Sequence, residues 1–257
     1  MIDLTTLADL TPGICSVTLR SYGIDDVVRI SAEAGLAGIE WGTDVHVSDA
    51  ASAHRARQAT EEAGLAVLSL GSYYRAGAFS DFGRDLDLAE ALGAPRIRIW
   101  AGELGSAVAT ADHWEAVVTD TRRIADIAAG RGIAVAFEYH GNTLTDSPAT
   151  TLELLDRVNH RNVGTYWQPA VGLSDQQALD SLHEVLPHVV GVHCFSWGPA
   201  GERFPLRNRA GLWQTVADVL RGNGKDLDIM LEFVQDNLPE NVLSDAVFLH
   251  ALTLGED

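Results

Sequence analysis

Four residues in the second half of the sequence have the types and spacing to hold a divalent cation and to move protons beside it. They are Glu138 in "AVAFEYH", Gln168 in "VGTYWQP", His193 in "VVGVHCFSW" and Glu232 in "DIMLEFV". Each stands in or at the end of a short β-branched or aromatic run, on the opposite parity from that run's bulky apolar residues. Two carboxylates, one imidazole and one amide oxygen make an oxygen-rich set that suits Mn²⁺, the expected ion, or Mg²⁺, Co²⁺ or Zn²⁺; without thiolates the set argues against structural zinc. Such an ion polarises a carbonyl and stabilises an enediolate, and Glu138 and Glu232 are the candidate acid/base pair that takes and returns the proton. Taken singly, an inward histidine is more often a hydrogen-bonded core residue, and an inward glutamate can pair with an arginine such as Arg98, whose parity is also inward. Taken together, the four argue for a site.

A wider ring of residues could meet a substrate. Arg98 is one of them, and His140 shares the parity of Glu138 and would contact a substrate oxygen or support the glutamate. Glu40 and His46 share parity in "GIEWGTDVHV"; for His46 a substrate contact, an extra metal ligand and an exposed loop position are all open. Trp100 and Trp197 could stack on the apolar face of a sugar ring, or pack as core. Arg203, Arg207 and Arg209 fall in "GPAGERFPLRNR", which reads as an irregular loop. It lacks a glycine-rich nest at a helix N-terminus, so phosphate has no special claim over a carboxylate or a neutral sugar, and the arginines could instead pair with the acidic surface.

To converge, these residues need a scaffold that brings strand ends together. Eight strand candidates begin near positions 13, 38, 66, 96, 134, 163, 189 and 228, so their starts are spaced by about 25 to 40 residues, enough for a strand, a stretch of helical pattern and two loops. That is the repeat of a parallel βα architecture. Ser48 precedes one helical stretch, Ser147 and Pro148 open another, and Gly35, Gly64, Gly93 and Gly132 close others. The last unit ends in a helix and no glycine-rich dinucleotide fingerprint follows the first strand, so the expectation is a single (β/α)8 TIM barrel over residues 1–257, with the chemistry at the C-terminal mouth. In that arrangement Val190, Val192, Cys194 and Phe233 should face the helix layer.

Composition narrows the function classes. Eighteen basic residues against 36 acidic ones give a formal charge of −18 with no basic cluster, which disfavours nucleic acid as a partner. No apolar run reaches the roughly 18 residues of a membrane span, and the start lacks a secretory pattern, so a cytoplasmic location and no membrane association are expected. Cys15 and Cys194 are too few for a disulfide framework and read as free thiols.

The motifs "GIEWG", "FEYH", "YWQP", "VHCFSW" and "LEF", in this order and spacing, resemble the sugar phosphate isomerase/epimerase superfamily of xylose isomerase-like barrels. That family includes ketose 3-epimerases, hydroxypyruvate isomerase, inosose dehydratase and endonuclease IV. The resemblance implies a metal held by Glu138, the Gln168 position, His193 and Glu232, with both glutamates as acid and base. Family epimerases have an aspartate where this chain has Gln168, and the second histidine that often follows it falls on Val171; loss of one negative charge should weaken metal binding. The resemblance also implies a homodimer or homotetramer acting on a small carbohydrate. The expected function is therefore a metal-dependent isomerase or epimerase of a sugar, keto-sugar or polyol derivative. The alternative is a lyase or dehydratase that expels a leaving group from the same enediolate. Endonuclease-like hydrolysis lacks its extra ligands and basic groove, while a non-catalytic sugar-binding barrel is motivated only by Gln168.

Overall fold

The computed structural model describes residues 8–255. Eight parallel strands close into a barrel: β1 (Leu10–Cys15), β2 (Gly38–Gly42), β3 (Ala66–Arg75), β4 (Arg96–Trp100), β5 (Ala134–Phe137), β6 (Val163–Trp167), β7 (Val189–Cys194) and β10 (Leu227–Leu231). They run in chain order around the barrel, with β10 paired to β1. Outside them lie α1 (Ile24–Glu33), α2 (Ala50–Glu62), α3 (Gly83–Leu92), α4 (Ala111–Ala129), α5 (Pro148–Val158), α6 (Asp175–Val185), α7 (Ala210–Gly222) and α8 (Pro239–Leu254). All eight expected strands form. No helix among the described residues is long and apolar enough to cross a membrane.

Local chemistry sets the helix ends. Ser147 accepts from the Thr150 amide at 3.3 Å with Pro148 in the first helical turn of α5, as expected. At α2 the cap is Asp49 rather than Ser48: its carboxylate accepts from the Ser52 amide at 2.7 Å, and Ser52 completes a reciprocal capping box. Gly93 ends α3 at φ 76°, a left-handed conformation that a side chain would strain.

Strand parity separates two cores. Val135, Phe137, Val192, Cys194, Ile229 and Leu231 belong to the large layer between barrel and helices, where Trp41, Trp167 and Trp213 are wholly buried. Each of those indoles is satisfied: Trp41 Nε1 donates to Thr60 Oγ1 at 3.2 Å, Trp167 Nε1 to Ser181 Oγ at 3.1 Å and Trp213 Nε1 to the Phe195 carbonyl at 3.2 Å. A smaller cluster inside the barrel contains Cys15, Leu68, Ala136, Tyr166 and Met230. Nearer its N-terminal end, Arg96 donates from Nε to the Tyr166 hydroxyl at 2.9 Å and from Nη2 to Asp228 at 2.6 Å.

Three expectations change. Val190 packs on the inner cluster rather than outward, because the β6–β7 register passes from Thr165↔Val189 to Tyr166↔Gly191 and leaves Val190 as an unpaired bulge. Phe233 also turns inward: β10 ends at Leu231, and Phe233 adopts φ 52°, which breaks the alternation. The segment read as an irregular loop contains a two-stranded hairpin, β8 (Ser196–Trp197) with β9 (Arg203–Phe204), followed by a 3-10 turn over Leu206–Arg209.

Candidate metal centre and substrate cavity

The C-terminal ends of β5, β6, β7 and β10 bring Glu138, Gln168, His193 and Glu232 together. His193 is wholly buried, with Nδ1 at 3.0 Å from Gln168 Oε1 and 3.6 Å from Glu232 Oε2. One potential ligand atom from each of Glu138, His193 and Glu232 lies within 4.8 Å of the others. The backbone fixes these positions beyond the last strand pairs: the Glu138 amide donates to the Ile99 carbonyl at 2.8 Å, and the Glu232 amide to the Cys194 carbonyl at 3.1 Å. Thr145 Oγ1 donates to the Glu138 carbonyl at 2.6 Å, tying the loop after β5 to the site.

Below this group runs a charged chain across the barrel. Arg98 donates from Nε to Glu40 Oε1 at 3.0 Å and from Nη1 to Glu138 Oε2. Ser69 Oγ donates to Glu40 Oε2 at 2.6 Å, and His193 Nε2 lies 3.5 Å from Glu40 Oε1. Gly71 makes the room: a Cβ there would stand 2.8 Å from Arg98 Nη2 and 3.0 Å from Glu40 Oε1. Glu40 and Arg98, expected among the substrate contacts, are thus buried and engaged with each other, and their proposed role shifts to support of Glu138 and His193.

Burial opposes charge throughout this cluster, and neighbours decide the outcome. For Glu40 burial is outweighed by Arg98 and His193, which hold its carboxyl well below the usual range. Burial likewise disfavours the Arg98 cation, but Glu138 and Glu40 raise its pKa well above the ordinary value. His193 is raised despite burial, chiefly by Glu232 and Glu40. Glu232 goes the other way: burial pushes its pKa up, and the attraction of His193 does not offset it.

Three inward carboxylates therefore share one guanidinium and one imidazole, which leaves the pocket short of positive charge. Buried carboxylates in that state need a further cation or protonation. The donor set at Glu138, Gln168, His193 and Glu232 fits a divalent metal: it is oxygen-rich, compact and backed by hydrogen-bonded outer residues. A second compact group, Cys15 with Glu40 and His193, lies deeper; burial keeps the Cys15 thiol protonated by raising its pKa.

A cavity of ≈ 330 Å³ opens above the centre, lined by Glu138, His140, Gln168, Trp197, Glu232 and Phe233 among others. Its size suits a small organic molecule. His140 lines it with its ring stacked on Trp100 at 4.6 Å, and its Nδ1 lies 2.6 Å from the Gly141 carbonyl; no hydrogen bond joins the ring to Glu138 among the described residues. Trp197 lines it too, against Phe195 at 4.5 Å. Arg203 packs beside this wall, 5.3 Å from the Trp197 ring centre and 4.5 Å from that of Phe233. His46 is not an exposed loop residue: it is buried, its Nε2 donates to the Tyr22 carbonyl at 3.0 Å, and its Nδ1 lies 3.1 Å from Ser16 Oγ. With both nitrogens engaged it has none left for a metal. Arg209 pairs with Asp175 at 2.8 Å, and Arg207 lies over Phe248, so neither points to a phosphate subsite.

Sequence reasoning passed over Ser69, Gly71, Tyr166 and Phe195, and turned Phe233 to the wrong side. Ser69 and Gly71 inside "AVLSLGSYY" were signals that an inward side chain needed a donor and space. Tyr166, whose ring sits 4.9 Å from that of His193, shares the parity of Gln168 and was open to the same reasoning.

Comparison with known proteins finds the same fold elsewhere. A "3-dehydroshikimate dehydratase" of Bacillus anthracis is 29% identical over 199 residues, spanning 70% of this chain and 69% of that protein. The crystal structure of the probable 3-DHS dehydratase of Bacillus anthracis superposes with TM-score 0.78 at 22% identity, covering 93% of this chain and 98% of that one. A D-psicose 3-epimerase solved with D-fructose gives TM-score 0.75 at 18% identity over 95% of this chain and 99% of that one. The family description "Xylose isomerase-like TIM barrel" matches residues 28–249, and the chain belongs to that family.

Proposed function

We propose that this enzyme is a metal-dependent dehydratase: it removes a proton from the carbon beside the carbonyl of a small hydroxylated ketone and then expels a β-hydroxyl group as water. The observation that supports elimination over epimerisation is the inequality of the two glutamates. Glu138 is clamped by Arg98, whereas among the described residues Glu232 meets no side-chain donor closer than His193 Nδ1 at 3.6 Å and is the candidate base. Epimerisation by proton transfer across two faces asks both carboxylates to exchange protons; elimination asks it of one.

Glu232 takes the C–H proton, and the electron pair passes into an enolate. As the double bond forms toward the β-carbon, the C–O bond breaks and Glu232 returns its proton to the departing hydroxide. Glu232, with no arginine paired to it among the described residues, holds the proton between these steps. A divalent ion held by Glu138, Gln168, His193 and Glu232, with Mn²⁺ favoured by the oxygen-rich set, supplies carbonyl polarisation and charge stabilisation. The aromatic wall of Trp197, Phe195 and Phe233 orients an apolar ring face and excludes water. The relative that shares 29% identity being a dehydratase supports the same choice.

The second reading is the expected isomerase or epimerase of a sugar, favoured by the placement of both glutamates around one compact centre. Incubation of Mn²⁺-loaded protein with cyclic hydroxyketones and keto-sugars in deuterated water separates the two. We expect an enone or aromatised product; deuterium at the α-carbon with every hydroxyl retained would replace dehydration by epimerisation, and no exchange at all would make the barrel a binding protein. We assign the protein to the cytoplasm, which the buried free thiols Cys15 and Cys194 support, and expect the homodimer or homotetramer that the family resemblance implies.

A further inference from the structure

Gln168 follows the mouth end of β6 with its two amide atoms in different settings. Its Oε1 lies 3.0 Å from His193 Nδ1, a nitrogen that also has Glu232 Oε2 at 3.6 Å. Flanked by two acceptors, Nδ1 is the donor, and the Gln168 oxygen is turned toward the imidazole. The same orientation suits a divalent ion, which takes an amide oxygen and not an amide nitrogen. A carboxamide carries its oxygen and nitrogen on diverging bonds, so Nε2 turns away from His193. Gln168 lines the cavity of ≈ 330 Å³ and is only 9% exposed, and its Nε2 has no hydrogen-bond partner among the described residues. Two N–H groups are thus left free in a place where an unmade hydrogen bond is costly.

The other polar side chains around this cavity supply acceptors. Glu138, Asp146 and Glu232 are carboxylates. His140 Nδ1, 2.6 Å from the Gly141 carbonyl, carries that ring's hydrogen, which leaves Nε2 of the neutral imidazole as an acceptor. The Tyr139 hydroxyl turns outward to Ser181 on α6. The indole Nε1 atoms of Trp197 and Trp100 are also without partners, but both are sealed from solvent. With His140 neutral, Gln168 Nε2 is the side-chain N–H donor that stays open to a bound molecule among the described residues.

We infer that Gln168 Nε2 donates a hydrogen bond to the substrate oxygen that becomes negative as the α-carbon loses its proton. The inference rests on the dehydratase reading, which supplies that enolate. A positioned N–H beside a developing oxyanion lowers the barrier, and an ionised carboxylate has no hydrogen to offer. A glutamate or aspartate at 168 would hold a cation more strongly, but would face the oxyanion with another negative charge. The amide serves both sides: its oxygen faces the ligand centre and its nitrogen faces the substrate. It keeps both hydrogens throughout, so no proton is transferred from it. The wholly buried Trp167 on one side and Pro169 on the other hold the backbone that aims it.

The test is calorimetric titration of protein saturated with Mg²⁺, using 4-nitrophenolate, a planar oxyanion, and nitrobenzene, which keeps the ring and lacks that oxygen. Gln168→Met should weaken 4-nitrophenolate about tenfold or more and leave nitrobenzene unchanged, which also shows that the variant is folded. Gln168→Glu has the same size with the donors replaced by a charge. It should weaken the phenolate further while holding Mg²⁺ at least as tightly in chelator competition, so that the loss is not a loss of metal. In proton and nitrogen correlation spectra of the wild type, the Gln168 side-chain amide pair is assigned by its absence from Gln168→Met. That pair should move downfield with 4-nitrophenolate and stay in place with nitrobenzene. No phenolate binding by the wild type, equal phenolate affinity in Gln168→Met, or an unmoved amide pair would overturn the inference. Proton exchange reads the α-carbon and not Gln168: the amide shift without exchange or elimination would remove the dehydratase reading alone. Elimination by a protein whose phenolate affinity is unchanged in Gln168→Met would remove this inference alone.

Discussion

Arg96 and Arg98 lie two residues apart on β4 and face the same interior, yet they occupy different kinds of electrostatic setting. Arg96, near the N-terminal end, meets one carboxylate, Asp228 at 2.6 Å, and a tyrosine hydroxyl. Arg98, one layer higher, pairs with Glu40 and Glu138 while Glu232 stands close by, so the carboxylates outnumber the cation. A balanced buried pair serves the fold, because its charges are compensated by the chain itself. An unbalanced one asks for something from outside, and it stands at the end of the barrel where TIM-barrel chemistry takes place. Asp245 gives a third case, a buried acid on α8 whose hydrogen bond comes from the Leu206 amide at 2.9 Å and whose pKa burial pushes up to about 6.

This contrast breaks first at Glu232. If the upper layer is functional, Glu232→Gln should cost about 10³-fold in turnover while the melting temperature of the metal-free protein holds or rises, because an uncompensated buried charge is removed. An active variant would place the base elsewhere. At the lower layer, Arg96→Met should behave oppositely, losing about 2–4 kcal/mol in denaturant unfolding by stranding Asp228 while the purified protein keeps its metal content. Loss of metal from that variant would merge the two layers into one system. Gln168→Asp sharpens the upper layer alone: an added carboxylate should raise Mn²⁺ affinity about tenfold in a chelator competition, and unchanged affinity would remove residue 168 from the ligand set.

The smallest effect belongs to Asp245. Its folded pKa of about 6 exceeds the ordinary 3.8, so the folded state holds more protons between those values and stability declines as pH rises through that window, then levels. Asp245→Asn keeps an oxygen acceptor for Leu206 and should stabilise the protein by about 1 kcal/mol at pH 7, flattening the decline between about pH 4 and pH 6. A variant with the wild-type pH profile would mean that the group stays ionised in the fold.

Much of this layout was legible in the sequence. The eight strands were visible because each is a short apolar run between turn signals, and parity turned Glu138, His193 and Glu232 inward without any knowledge of contacts. Parity fails where a strand stops being regular. The bulge at Val190 and the left-handed Phe233 each shift the alternation by a local backbone event that side-chain hydrophobicity does not encode. The hairpin after β7 escaped for a related reason: its strands are two residues each, below the length at which a period of two can be seen. Glu40 and Arg98 were each placed inward, but 58 residues separate them, and nothing local to either says that the other is its partner.

The spacing of Arg96 and Arg98 also bears on how the barrel assembles. A strand has a side-chain period of two, so sliding β4 by one residue against its neighbours would move both guanidiniums together into the apolar shell between strands and helices, and would leave Asp228, Glu40 and Glu138 facing Ile97 and Ile99. Two stranded cations and three stranded anions make that misalignment far more costly than a slip between apolar strands. The charges of both layers thus also fix the register of β4, since a slipped alignment would strand all of them.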